Sequence, residues 1–279
     1  MIRDLFVPIL RGHSDQAALD AAMALAVAHR AHIAALVTVE NPIPLTSEWG
    51  YVPVELNQHL FEQARADAET VAAKARARLT REAIDSEVRV TETVLLWSEE
   101  TTALHARYAD LTVMGGKDAD AIGPRFELNF KALLMQSGRP ILLVPDGAAL
   151  ATPVKRAVLA WQPTREATRA LHDALPLLAA DAEVQVLMID PEVGEARHGE
   201  QPGADIARHL ARHGWHVRVI SLPREGRSDG QNLLTYARET GAELLVMGGY
   251  GHSRWRETVL GGATRSVLEG ATMPVLFAH

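Results

Sequence analysis

The residues best placed to do chemistry lie together at 246–262, which read Val246-Met247-Gly248-Gly249-Tyr250-Gly251-His252-Ser253-Arg254-Trp255-Arg256-Glu257-Thr258-Val259-Leu260-Gly261-Gly262. An apolar run stops at one pair of glycines. A second pair opens the helical pattern Ala263-Thr264-Arg265-Ser266-Val267-Leu268. Glycine lets a ligand approach the backbone closely, and successive free N–H groups form an anion-binding concavity. A helix N-terminus adds unpaired donors and partial positive charge. Thr264 offers a hydroxyl, and Arg254, Arg256 and Arg265 supply positive charge. The chemistry is phosphate binding. The competing reading is a turn followed by a helix cap, and the residue types alone leave both open. The stretch is neither a Walker A loop nor GxGxxG.

Other candidates are thinner. His209-x3-His213 places two imidazoles on one helical face, but Gly214 stops the helix before His216 and no third metal ligand is evident. A solvated helix face is the reading adopted, with no metal site. Ser98 and Ser228 lack a nucleophile elbow. Glu99-Glu100 fits the acidic start of a helix better than a catalytic pair. No catalytic residues are assigned.

The elements that must position the glycine stretch repeat along the chain. Ala109-Asp110-Leu111-Thr112-Val113-Met114-Gly115-Gly116 matches Ala242-Glu243-Leu244-Leu245-Val246-Met247-Gly248-Gly249, and Arg139-Pro140-Ile141-Leu142-Leu143 matches Met273-Pro274-Val275-Leu276-Phe277 at nearly the same offset. Two copies of one domain explain this. They are assigned to 1–146 and 154–279, with a linker around Gly147–Pro153. Each half alternates short Val/Leu/Ile runs with helical patterns, so βαβ units and a parallel, doubly wound Rossmann-like sheet are expected. Strands are expected near 4–10, 32–38, 87–94, 110–115 and 140–144, then 156–161, 183–189, 216–221, 243–248 and 274–278. Helices of the second half are expected near 164–179, 203–213, 229–240 and 262–270, and the long second helix of the first half at 57–82. Ligands of such sheets sit beyond the carboxyl ends of the strands. The glycine stretch follows the fourth strand of the second half.

Gly-x2-Gly-x9-Gly after a Val-Met-Gly strand, followed by a helix and a Pro-Val-Leu strand, resembles the universal stress protein family. The resemblance covers both halves, so the chain looks like a tandem, UspA-like member. It implies five-stranded parallel sheets of order 3-2-1-4-5 and, in one branch, ATP binding. It places Met247, Gly248, Gly251, Gly261, Gly262, Ala263 and Thr264 about the phosphates. His252 is assigned there too, although it serves equally as a cap of the turn. Gly262 stands where the family has Ser or Thr. Gln162 takes the position of a common Asp at the adenine end, where its amide still offers a donor and an acceptor. Met188 or Ile189 would line the base pocket. In the first half, aligned carboxylates Asp118 and Glu127 replace Gly251 and Gly261 and would repel phosphate. No ATP is expected there. That half is left as pseudo-symmetric partner, regulatory surface or site for another molecule. Trp49 and Tyr51, in the Pro-rich loop 41–57, either cover such a pocket or pack the loop.

Composition narrows the classes. With no Cys, disulfides and thiolate chemistry are excluded. The net charge of −7 argues against a nucleic-acid partner. Residues 1–148 hold 14 Lys+Arg against 20 Asp+Glu, so the acidity sits in the first half. No apolar stretch reaches membrane length, and a cytoplasmic location is expected. The leading reading is a stress-response, nucleotide-binding regulatory protein without strong catalysis, with ATP as ligand and Mg²⁺ as an optional companion. A slow ATPase or phosphotransferase, and an interaction module without nucleotide, are the alternatives. The fifth strands of the two halves are expected to pair within the chain as a pseudo-dimer. A homodimer of whole chains and the protein partner stay open.

Overall fold

The computed structural model describes residues 1–10, 15–41, 54–94, 98–116, 125–191, 201–250 and 261–279. The first half runs β1 (Asp4–Ile9), α1 (Asp15–His29), β2 (His32–Asn41), α2 (Val54–Arg81), β3 (Ser86–Val94), α3 (Ser98–Ala106), β4 (Leu111–Gly115), α4 (Arg125–Gln136) and β5 (Ile141–Val144). The second runs β6 (Val154–Ala160), α5 (Arg165–Ala174), β7 (Leu178–Ile189), α6 (Ala204–Arg212), β8 (His216–Leu222), α7 (Asp229–Glu239), β9 (Leu244–Gly248), α8 (Gly262–Gly270) and β10 (Val275–Ala278). The loop carrying Trp49 and Tyr51 lies outside the described residues.

The strands order as β3-β2-β1-β4-β5-β10-β9-β6-β7-β8. Each half is therefore parallel with order 3-2-1-4-5. The halves join edge to edge, because β5 and β10 pair antiparallel with Val275 opposite Leu143 and Phe277 opposite Ile141. Both strands are buried throughout, so neither leaves a bare edge. The repeat extends to single hydrogen bonds. The Asp110 carboxylate accepts from the N–H groups of Arg3 (2.7 Å) and Asp4 (3.1 Å) at the start of β1. Glu243, its sequence counterpart, accepts from Lys155 (2.7 Å) and Arg156 (3.3 Å) at the start of β6.

One face of the sheet carries a core that crosses the seam. Phe126, Phe130, Leu133 and Leu134 of α4 pack with Phe277, Val267 and Leu268 of the second half. The Phe130 and Phe277 rings meet edge to face at 5.1 Å, a favoured aromatic arrangement.

Three expectations need correction. The helix expected over 164–179 stops at Ala174, because Pro176 lacks an N–H to continue it. A single 3₁₀ turn, Leu175–Leu177, follows, and β7 starts at Leu178 and runs 12 residues. The helix α2 begins at Val54 rather than 57. The run at 216–221 is not buried on both faces, since β8 is the outer strand of its half and alternates exposed and half-buried positions.

Candidate functional site

Beyond the carboxyl ends of β6, β7 and β9 lies a cavity of about 420 Å³. Its floor is apolar, with Leu187, Ile189, Leu233 and Met247. Three helix N-termini converge on it. Thr164 and Glu166 come from α5, Ser228 and Asp229 from α7, and Gly261 to Thr264 from α8.

The three N-termini differ in how their free N–H groups are satisfied. In α5 the Thr164 hydroxyl accepts from the Ala167 N–H, and Glu166 sits in the first turn. In α7 the Ser228 hydroxyl accepts from the Gln231 N–H, with the reciprocal bond of a capping box, and Asp229 is in the first turn. The Asp229 carboxylate also accepts from Arg224 at 2.7 and 3.2 Å. In α8 the N-cap is Gly261, with no side-chain cap and no acid in the first turn. Its donors and partial positive charge are therefore uncompensated by its own residues.

The glycines divide in the same way. A Cβ at Gly248 would lie 2.7 Å from the Ala167 nitrogen and 2.8 Å from the Glu166 carbonyl carbon. Close approach of β9 to α5 requires that glycine. At Gly261 φ is −56°, and a Cβ would meet only the Thr264 hydroxyl at 3.9 Å. At Gly262 it would meet nothing within 4 Å among the described residues. Neither conformation nor crowding demands glycine at these two positions, and both border the cavity.

Gln162, Met247, Gly248, Gly261, Gly262, Ala263 and Thr264 are brought together around the cavity. Thr264 is 3% exposed, and its hydroxyl accepts from the Tyr250 N–H at 3.5 Å. Met188 is not in this group. Successive side chains of a strand point to opposite faces, so Leu187 and Ile189 reach the cavity while Met188 lies beneath Gly203, the N-cap of α6. Gly251 and His252 fall outside the described residues.

Sequence reasoning missed Arg224, Asp229, Glu166 and Tyr250. The first two belong to the turn after β8, a strand end like those considered, and this was the available signal. Tyr250 leaves β9 with φ 63°. Its hydroxyl is buried without a hydrogen-bond partner among the described residues. Burial first, then the charge of Glu127, pushes its phenol up to about 12.

The histidines form a row. The rings of His172 and His209 are 5.7 Å apart, those of His209 and His213 are 5.0 Å apart, and His213 stacks on Trp215. Burial, followed by the neighbouring imidazoles, holds His209 below its ordinary value. Among the described residues no group of three His, Asp or Glu is arranged to hold a metal. In the first half, α4 carries Glu127 in its first turn where α8 has no acid. Asp118 lies outside the described residues.

Residues 153–279 match the model of the universal stress protein family. The second half is thus similar to a universal stress protein domain. A universal stress protein from Archaeoglobus fulgidus DSM 4304 matches the whole architecture, over 99% of this chain and 95% of its own, at 16% identity and a TM-score of 0.69. A protein of unknown function from Pseudomonas aeruginosa PAO1 matches over 99% of this chain and 92% of its own, at 13% identity and a TM-score of 0.59. At such identity these likenesses speak to the fold. The chain thus has the tandem, UspA-like architecture. A universal stress protein in complex with cAMP matches 46% of this chain and 99% of its own, at 17% identity and a TM-score of 0.35. No curated protein matches the chain. No helix among the described residues is long and apolar enough to cross a membrane.

Proposed function

We propose that this tandem universal stress protein binds a nucleotide, ATP, in its second half and acts as a regulatory protein rather than a strong catalyst. The functional units are 1–146, without nucleotide, and 154–279. The carrying observation is the N-terminus of α8. Of the three that face the cavity, it alone has neither a side-chain cap nor a first-turn acid, and among the described residues nothing crowds Gly261 and Gly262. A phosphate there completes the donors that a cap would otherwise satisfy. Gly248, Gly251, His252, Ala263 and Thr264 complete the phosphate end, and Met247 belongs to the apolar floor. Gln162 and the apolar floor of Leu187 and Ile189 receive the base. Met188 is left out of the base pocket.

The regulatory mechanism is a population shift. ATP bound at the 248–262 stretch favours one state of the protein over another, and a protein partner reads the difference. One observation favours the reading without nucleotide. Gly248 is explained by its packing on α5, so part of the glycine pattern serves the fold. Calorimetric titration with ATP and Mg²⁺, beside a Gly261→Glu variant, separates the two. Saturable binding at one site per chain, lost in the variant, is expected. No heat with the wild type, and no nucleotide released on denaturing it, would assign the glycines to the turn.

A further inference from the structure

The helix α4 belongs to the half that lacks the glycine pattern, yet one of its faces is turned to the other half. The Phe130 ring meets Phe277 at 5.1 Å. A Cβ on Gly249 would lie 2.5 Å from the Leu134 side chain. Residues at i, i+3 and i+7 share one stripe of a helix. Glu127, Phe130 and Leu134 are such a set, so Glu127 lies on the stripe that meets the second half. Leu134 of that stripe lies beside the root of the glycine stretch, because Gly249 and Tyr250 lead from β9 into it, and Glu127 stands about two turns nearer the start of α4 on the same stripe. Tyr250 lines the cavity and donates its N–H to Thr264 in the first turn of α8.

We infer that Glu127, a residue of the first half, sets how much negative charge the second-half site accepts. The inference rests on the proposed phosphate site at α8. A carboxylate on this stripe acts on two residues of that region. It adds to the upward push on the Tyr250 phenol. It also contributes, after Glu269, to holding the Arg265 guanidinium charged. Arg265 is bound at 3.0 Å by Glu269 as well, so part of its charge is spent before any ligand arrives. Among the described cavity residues the charged side chains are Glu166, Asp229 and Arg224, with acids in the majority. A further carboxylate nearby opposes each added phosphate. The degenerate half thereby has a role: its own helix keeps a first-turn acid, and that acid tempers the site across the seam.

The test is titration of the full chain with ATP and with AMP, in EDTA, at low and high salt, comparing wild type with Glu127→Gln and Glu127→Lys. Glu127→Gln should tighten ATP by about fivefold and AMP by about twofold at low salt, as expected for a partly screened charge outside the cavity lining. Glu127→Lys should extend both gains, and high salt should shrink them. An unchanged ATP affinity overturns the inference while leaving the nucleotide site intact. So does an equal gain for both ligands, or a gain indifferent to salt. Failure of both ligands to bind wild type and both variants would overturn the nucleotide reading itself, and the inference with it.

Discussion

Alanine at two glycines of the same pattern should have opposite consequences. At Gly248 the added methyl would stand 2.7 Å from the Ala167 nitrogen and 2.8 Å from two atoms of Glu166. Two of these three contacts are backbone, in the first turn of α5, so no rotamer change relieves them. Overpacking of this kind costs about 1–3 kcal/mol. At Gly262 the methyl meets nothing within 4 Å among the described residues, and the position is the first residue of α8. Replacing glycine where its conformation suits alanine gains about 0.4–1 kcal/mol, chiefly by restricting the unfolded chain. Thermal unfolding of ligand-free protein checks this. At about 2–4 °C per kcal/mol for a domain of 150–250 residues, Gly248→Ala should melt several degrees lower and Gly262→Ala at or slightly above the wild type. The ATP affinity of Gly262→Ala should nevertheless fall, because the methyl stands where the phosphate approaches. Equal melting shifts for the two variants would refute the division of the glycines into packing and approach. Unchanged ATP affinity in a stable Gly262→Ala would refute the placement of the phosphate.

Phe277→Ala should destabilise both halves together, by about 3–5 kcal/mol, because its ring fills the core shared with Phe130 across the seam. A urea titration followed by probes in each half should show both transitions moving; movement of the second alone would mean that the halves are energetically independent. Stability should also fall as the pH drops from 7.5 to 5.5. His29, His105 and His209 are each held below their ordinary value chiefly by burial. A depressed histidine favours the neutral ring in the folded state, so the unfolded chain takes up more protons near pH 6.5 and stability is lost as the pH falls through that region. His209→Gln should flatten the loss, measured as urea midpoints at the two pH values. An unaltered slope would show that the imidazole row does not carry it.

Much of this protein is legible in one dimension. The twofold repeat and the parallel sheets follow from apolar runs separated by helical patterns, whereas the order 3-2-1-4-5 and the pairing of the fifth strands are implied by the resemblance to the universal stress protein family. A strand buried on both faces needs a continuous run, and a parallel neighbour needs a crossover. The glycine-rich stretch after β9 marks the site for the same reason, since loops at strand ends are where such sheets take ligands. Other features depend on what each residue meets in space. Strand alternation put Ile189 rather than Met188 at the cavity, and a register of one residue cannot be read from a uniformly apolar run such as Leu187-Met188-Ile189. Gly248 and Gly262 are the same letter in the sequence. Only the backbone of α5, packed against one and absent from the other, separates a glycine kept for close packing from one that leaves room. Glu127 looks like a damaged phosphate position in its own half. The antiparallel pairing of β5 with β10, and the packing of Phe130 and Leu134 across it, set the helix stripe that carries Glu127 against the other half.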